Sequence, residues 1–512
     1  MAAPGAAPIG GGLATASYER HRPEETVLYT TLQAHWKAFL EELDAEAETP
    51  ALPAFVVAEV EAFLRCGILA HGFVLARCRD CGWCRPVAFS CRRRGFCPSC
   101  IGRRMSDFAA RLVDRVIPRC PVRQWVLTVP YSLRARMMFD PALTTVVLRE
   151  LIAAVSSWLR RRARRLGIKG VLKTGAVTVI QRFNSALGAS PHFHTLFLDG
   201  VYSFILGRAP IFHPTPGPTD EDVALVAASV FRRVTRKLPG EEPSPAHQDF
   251  IEAAPLLAAI SKAAVGGASA TGARRGQRVV RVRGAPAAVD AFLLCRLCAE
   301  VEGFNLQAAS RVAANDREGL ERMGRYLARP PIAGNRLTRL DDGRLELQLK
   351  RPWRDGTTSF VFTPHELIER LIALVPRPRV HLSRYFGVFA PAFAARAGIV
   401  PAVAPSDPVQ PAGSDGGPDR RPPRGRRFPW ASMIWRVFLN DVLECVRCKG
   451  RMEIVAALTA GHAIERVLGH LGLPLDAPEF HPARPPPQIE MSFRDDPSGF
   501  SPDPPAPDDF AA

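Results

Sequence analysis

The sequence predicts a mixed α/β protein of the α+β kind: a zinc-ribbon-like N-terminal domain, a central domain of sheet and helices, and a small C-terminal unit. Three observations predict it. Apolar, β-branched runs at residues 124–130 (QWVLTVP), 174–183 (TGAVTVIQRF) and 192–198 (HFHTLFL) read as strands. Helical apolar periodicity appears around them, most plainly over residues 141–166. Two C-x2-C pairs, Cys78/Cys81 and Cys97/Cys100, carry the spacing of a tetrahedral zinc site.

The elements follow in order. Residues 1–28 read as a flexible leader. In residues 29–117, the N-terminal helical and zinc-binding domain, Leu32, Trp36, Phe39, Leu40 and Leu43 recur at helical spacing. The cysteine cluster comes next, and then a helix from about Arg104 that stops before Pro118. Residues 118–400 form the central domain. Its long helix over 141–166 ends in Arg160, Arg161, Arg162, Arg164 and Arg165. A later helix over 315–329 has Asn315 as N-cap and Glu318 three residues on, and Pro330 and Pro331 end it. Residues 342–350 and 357–362 read as a hairpin around Asp355-Gly356. Residues 401–429, rich in Pro, Gly, Asp and Arg, are expected to be a disordered linker. A small unit spans 430–478, and a Pro-rich, acidic, disordered tail spans 479–512.

Lys and Arg number 67 against 50 Asp and Glu, a net charge of +17 that suits a polyanionic partner such as nucleic acid. An Arg-rich codon bias raises the charge equally, so charge alone does not decide. No run approaches 18 uninterrupted apolar residues and no charged n-region precedes an apolar core, so a cytoplasmic protein with no membrane partner is expected. The twelve cysteines are then expected to be reduced, and tight pairs of reduced cysteines read as metal ligands.

Four thiolates from Cys78, Cys81, Cys97 and Cys100 would close the coordination sphere of a zinc ion, which makes such a site structural. Cys84 and Cys91, inside the loop, read as small buried thiols; the alternative is a ligand exchange or a second site with Cys66 and His71. Arg92, Arg93, Arg94, Arg103 and Arg104 make a basic knuckle that would either contact DNA or face solvent. Cys445-Val-Arg-Cys448 reads as half a zinc site, with His462, His470 and His481 as candidate completions. Cys295 and Cys298 read as buried thiols on an amphipathic helix.

On a strand, His192 and His194 share one face and could grip one divalent ion. The bland alternative is two core histidines, but imidazoles in an apolar sheet need polar compensation. Tyr326, flanked by Arg325 and Arg329, lies at the edge of the helical stripe Leu320, Met323, Leu327. It reads as a packing tyrosine or, beside a metal-binding pair, as a nucleophile toward phosphate.

The stretches LRCGILAHGF, CRDCGWCRPVAFSCRRRGFCPSC, RQWVLTVPYSLR, GAVTVIQRFNSALGASPHFHTLFLDGVY, DREGLERMGRYLARPPIAGNRL and LKRPWRDGTTSFVFTPHELIERLIALVPRPRVHLSRYFGVFAP resemble the HUH-type transposases of the insertion sequence 91 family. The resemblance covers about residues 25–400 and, more weakly, 430–475. It implies a structural zinc domain, then an HUH nuclease domain with a central antiparallel sheet, the histidines on a central strand and Tyr326 on a packed helix. His192 and His194 would hold Mg2+ or Mn2+, with Phe193 between them. Tyr326 would attack a single-stranded DNA phosphate at the element ends and target, giving a 5′-phosphotyrosine and a free 3′-OH in a rolling-circle scheme. Self-association and a nucleoid location in a bacterial cytoplasm accompany that picture. Pro330 stands where some members carry a second tyrosine, so this chain reads as a one-tyrosine type, with Tyr385 a remote substitute. The third ligand is expected at Gln181, ahead of Asp199 and Gln307; close relatives carry a histidine at the last. Arg182, Arg325, Arg329, Arg351, Trp353 and Arg354 are expected to meet DNA. The alternatives are a plasmid-type initiator or relaxase, and a catalytically inactive zinc-dependent DNA-binding protein.

Overall fold

The computed structural model describes residues 21–45, 51–238, 245–284, 296–333, 336–353, 355–401 and 441–478, with residues 431 and 436. The chain forms two compact units: residues 1–24, 65–90 and 414–478 make the smaller, and 25–64, 91–413 and 479–512 the larger.

In the smaller unit, β1 (Phe73–Cys78) lies between β2 (Cys84–Ala88) and β17 (Met452–Leu458), antiparallel to both. A helix, α11 (Gly461–His470), lays Ile464 and Leu468 against Leu69 and Phe73. The segment expected as a separate C-terminal unit therefore completes the N-terminal ribbon. The physical reason is the edge of β1. Two strands alone leave a row of unpaired backbone groups and one uncovered apolar face, and β17 with α11 supplies both.

In the larger unit, helices α1 (Val27–Ala45) and α2 (Ala54–Leu64), expected in the N-terminal domain, pack instead among central-domain residues. Arg339 donates to Thr30 and Thr31 of α1, and the Phe39 ring lies 4.7 Å from the ring of His365. The main sheet is antiparallel throughout: β10 (Cys298–Val301), β11 (Phe304–Gln307), β3 (Val122–Thr128), β6 (Ala189–Leu198), β5 (Gly175–Phe183) and β16 (Ser383–Gly387), with β12 (Arg311–Val312) beside β3. A second sheet joins β13 (Leu337–Arg339), β14 (Leu345–Gln348), β15 (Thr357–Phe362) and β9 (Val280–Arg283), and contains the expected hairpin. A third joins β4 (Val171–Lys173), β7 (Gly200–Phe204) and β8 (Ile211–Pro214).

Alternation along the central strands sends side chains to two cores. Trp125, Leu127, Ile180, Phe193 and Phe197 face α5 (Pro141–Arg165) and α6 (Asp220–Lys237). Val122, Val177, Val179, Leu196 and Leu198 face α3 (Pro98–Arg111) and α9 (Arg317–Leu327). By length and composition α5 passes as a membrane span, but Leu143, Val147, Leu151, Val155 and Leu159 belong to the first core. Its N-cap is Asp140, whose side chain accepts from the amides of Ala142 and Leu143. The other helices are α4 (Tyr131–Phe139), α7 (Pro245–Ala253), α8 (Pro255–Gly266) and α10 (Pro364–Leu374).

Some local expectations change. The N-cap of α9 is Asp316 rather than Asn315, because Asp316 reaches the Gly319 amide at 2.7 Å. Cys298 lies on a strand rather than a helix, since a short apolar run does not declare its period. Helix α1 begins at Val27, within the expected leader. Residues 1–20, 402–429 and 479–512 of the expected leader, linker and tail lie outside the described residues, as do Cys295, Arg354 and His481.

Candidate metal and nucleophile site

Strand β6 is the middle of the main sheet and is buried along its length. His192 stands opposite Thr128 on β3 and Gln181 on β5, and His194 opposite Val126 and Val179. Both histidines point to the α3–α9 face, are fully buried, and bring their Nε2 atoms to 3.0 Å. His192 Nδ1–H donates to the Ser190 carbonyl at 2.7 Å, which leaves the Nε2 lone pair facing its partner. Gln124, which the sequence reading passed over, lies 2.7 Å from His194 Nδ1 through its amide nitrogen. In that orientation His194 carries its proton on Nε2; with the amide turned over, Gln124 accepts from Nδ1–H and both Nε2 lone pairs converge.

Burial, chiefly, and then the positive charge of Arg329 and Arg134 push the His192 pKa down to about 3. Burial, His192 and Arg329 hold His194 well below its usual range. Both imidazoles are thus neutral, as metal ligands must be. The linkage has a definite sign. Below pH ~6.5 an unfolded histidine takes a proton that the folded one refuses, so stability falls on acidification toward the folded pKa. Each buried imidazole contributes a slope of up to ~1.4 kcal/mol per pH unit in that window. Urea midpoints of the zinc-loaded chain, measured without added Mg2+ or Mn2+, should therefore drop between about pH 7 and 5 in the wild type, and drop less in His192→Gln. An equal drop in both proteins would refute the burial argument.

Gln181 donates through Nε2 to the Leu327 carbonyl at 2.8 Å and lies 3.5 Å from the Tyr326 carbonyl, both on α9 or its last turn. Its Oε1 is buried without a partner on the histidine face. Leaving a buried carbonyl unpaired costs ~1–3 kcal/mol, and an amide oxygen is a suitable ligand for a hard cation. The rival ligands differ. Asp199 is bound by Arg123 at 3.0 Å and Arg311 at 3.1 Å. Gln307 on β11 stands opposite Val126, which stands opposite His194, so it shares the histidine face one strand further out.

The Tyr326 ring meets the His194 ring edge-on, 5.7 Å between centroids at 88°, and the Arg329 guanidinium lies 4.5 Å over the Tyr326 ring. Arg325 is bonded to Glu321 at 2.6 Å. Helix α9 holds this position partly through Arg317, which donates to the carbonyls of Pro118 and Ile117, and partly through Gly324. A Cβ at Gly324 would come 3.0 Å from Ala109 Cα and 3.2 Å from Leu112. Gly324→Val should push α9 off α3, cost ~1–3 kcal/mol by overpacking, and lower DNA cleavage ~100-fold by misplacing the tyrosine. Thermal melts and cleavage rates would check both effects. Tyr385 pairs with Val177, four residues along β5 from Gln181 and thus ~13 Å from it.

The other basic candidates divide. Arg94 donates to the carbonyls of Val380 and Arg377, and Arg182 to those of Met138 and Ala373, so both guanidiniums serve the fold. Burial, and then Arg377, lower the Arg182 pKa to about 10. Arg92 and Arg351 are exposed, and Arg93 is half-buried. Trp353 donates to Ser185 and stacks edge-on against Phe360 at 5.1 Å, a hairpin packing role.

The thiols correct the expected zinc set. Cys78 and Cys81 do not share a site with Cys97 and Cys100. They gather with Cys445 and Cys448 in the smaller unit, all four sulfurs within 4.8 Å of one another. In the larger unit, Cys97 at the start of α3 and Cys100 in its first turn gather with Cys91, whose Sγ is 3.3 Å from that of Cys100. The Arg92 amide donates to Cys100 Sγ at 3.2 Å, from a residue at φ 55°. C-x2-C spacing fixes each half-site but not its partner, which explains the mispairing.

Residues 31–129 match the family described as "Transposase zinc-binding domain", and residues 175–396 match the family described as "Putative transposase". In these two consecutive stretches the chain is similar to transposases of the insertion sequence 91 kind. It is 23% identical over 449 residues, 84% of this chain and 89% of the relative, to the transposase for insertion sequence element IS801 of Pseudomonas savastanoi pv. phaseolicola. No solved structure matches the chain. The matched descriptions are of a zinc-binding domain followed by a transposase domain, and the gathered thiols fit a structural metal site. Gln181, His192, His194 and Tyr326 all fall within the transposase match, and Gln124 falls within the zinc-domain match.

Proposed function

We propose that this transposase nicks and rejoins single-stranded DNA at its element ends through a metal-dependent 5′-phosphotyrosine on Tyr326. One observation carries the reading: the phenol ring rests against His194 while Gln181 ties the end of the tyrosine helix to the histidine strand. His192 Nε2, His194 Nε2 and the unpaired Gln181 Oε1 would hold Mg2+ or Mn2+. Such an ion, when bound, polarises a phosphate oxygen and neutralises its charge.

The chain supplies the rest. Ser190 and, with its amide turned over, Gln124 would accept from the two Nδ1–H groups and leave both Nε2 atoms bare, and Arg329 adds positive charge beside the attacking ring. The Tyr326 oxygen attacks phosphorus, the P–O3′ bond breaks, the phenol proton passes to water, and the departing 3′ oxygen takes a proton. The phosphotyrosine keeps the bond energy, so an incoming 3′-OH can reverse the step without ATP. Pro330 leaves one tyrosine here, so two ends would need two chains, which supports self-association. Of the expected DNA contacts, Arg92 and Arg351 are exposed, whereas carbonyls hold Arg94 and Arg182 within the fold, so the first two would meet the backbone of the strand. A DNA substrate assigns the work to the cytoplasm and the nucleoid.

Gln124→Leu should weaken Mn2+ binding ~10–100-fold by freeing the His194 ring, and Gln124→Glu should restore it. Titration by electron paramagnetic resonance reads this without any activity. Unchanged affinity in Gln124→Leu would remove Gln124 from the site.

Covalent capture tests the proposal itself. Protein, labelled single-stranded DNA from the element ends and Mg2+ or Mn2+ should give a protease-sensitive shifted band on a denaturing gel. The band should vanish in Tyr326→Phe and in EDTA. A band that persists in Tyr326→Phe would refute the nucleophile, and binding without any band across a range of substrates would favour the inactive DNA-binding reading.

A further inference from the structure

Four thiols of the smaller unit, Cys78, Cys81, Cys445 and Cys448, gather outside the histidine site, and the last two lie outside both matched families. We propose that Cys78, Cys81, Cys445 and Cys448 bind a structural zinc ion of their own, in a site built from two segments far apart in the chain.

The geometry fits a tetrahedral ion. Zn–S bonds of ~2.3 Å set the edges of a ZnS4 tetrahedron at ~3.8 Å. Cys78 Sγ lies 3.4 Å from Cys448 Sγ, and Cys81 Sγ lies 3.7 Å from Cys445 Sγ. Both distances far exceed the ~2.05 Å of a disulfide.

The backbone gives an independent argument, because the two C-x2-C turns are built alike. In the first, the Cys78 amide donates to the Trp83 carbonyl at 2.8 Å and the Gly82 amide to the Cys78 carbonyl at 3.2 Å. In the second, the Cys445 amide donates to the Gly450 carbonyl at 2.8 Å and the Lys449 amide to the Cys445 carbonyl at 2.9 Å. The fifth residue of each turn is left-handed, Gly82 at φ 69° and Lys449 at φ 63°. A lysine held there is strained, and a ligand that fixes both sulfurs of its turn explains why the conformation persists. The second turn thus repeats the metal-holding shape of the first from an unrelated sequence.

The turns also interlock. The Arg79 amide donates to the Arg451 carbonyl at 3.1 Å, Arg85 is buried against the Val442 carbonyl, and a side chain at Gly450 would collide with Asp80. Cys78, Cys445, Ala76 and Met452 form a small buried cluster beneath the sulfurs. Four thiolates around Zn2+ carry a net charge of about −2. Arg77 and Arg447 lie in or beside the two turns, while Arg79, Lys449 and Arg451 there pair with Glu453, Glu444 and Asp441.

The test is zinc stoichiometry of the purified full-length chain by mass spectrometry. Cys445→Ser/Cys448→Ser should hold one zinc ion per chain fewer than the wild type, and Cys97→Ser/Cys100→Ser should lose a different one. Wild-type zinc content in the first variant would overturn the proposal. If that variant does not fold, the zinc-loaded wild type decides. Cys81 and Cys448, both exposed, should resist N-ethylmaleimide until a chelator is added and then label together with Cys78 and Cys445. Rapid labelling of Cys448 in the zinc-loaded chain, or a Cys78–Cys448 disulfide in non-reducing peptide maps, would also overturn it. None of these readouts involves DNA, so their failure leaves the tyrosine reading standing, and the reverse holds.

Discussion

His194→Ala should reduce cleavage of single-stranded DNA at least a thousandfold while leaving most of the DNA affinity. His194 is fully buried, and its loss would remove one of the proposed Nε2 ligands and the ring against which Tyr326 rests. Divalent metal chemistry is worth several kcal/mol at a scissile phosphate, and ~4 kcal/mol is a factor of ~1,000. Binding arises from exposed arginines on the rest of a chain of net charge +17 and should fall with salt as before. Cleavage rates and filter binding, measured on the same preparations, separate the two quantities. Robust cleavage by His194→Ala would end the metal assignment, and a parallel loss of binding would point to misfolding.

Cys97→Ser should have the largest effect on stability. Structural zinc in small domains contributes ~10–16 kcal/mol of apparent folding free energy, as much as or more than the ~5–15 kcal/mol of an ordinary domain. Removing one of the three gathered thiolates leaves a metal that binds weakly or not at all. Cys97 caps α3, α3 packs on α9 through Gly324, and α9 carries Tyr326. The variant should therefore lose ordered helix around α3, seen by hydrogen exchange, and lose the covalent adduct as a secondary effect. Native exchange protection in α3 after Cys97→Ser would show that the thiols do not hold the fold.

Much of the site was legible in the sequence. Strands β3, β5 and β6 declare themselves by β-branched runs, and the HFH triplet in such a run puts both imidazoles on one face. The helix with Tyr326 is framed by an acidic N-terminus and two prolines. What escaped has physical reasons. Gln124 sits in a strand that reads as apolar, and its polarity, like that of Gln181, was the one available clue. The partner of Cys78/Cys81 lies 364 residues or more away along the chain, a distance over which spacing rules say nothing. Arg94 and Arg182 resemble phosphate ligands in sequence, and only the carbonyls around them reveal a structural role.

The pairing of β1 with β17 bears on how the chain is made. Synthesis proceeds at roughly 5–20 residues per second. The 364 residues between Cys81 and Cys445 thus take about 20–70 s to emerge. During that interval the strands of the main sheet emerge, the last of them ending at Gly387, while β1 waits with one edge open and two thiols unmatched. A message that stops short of residue 448 yields a chain with most of its catalytic residues and an unfinished ribbon. Such a chain would leave the β1 edge unpaired, a site for strand addition or proteolysis that the full-length chain closes with β17.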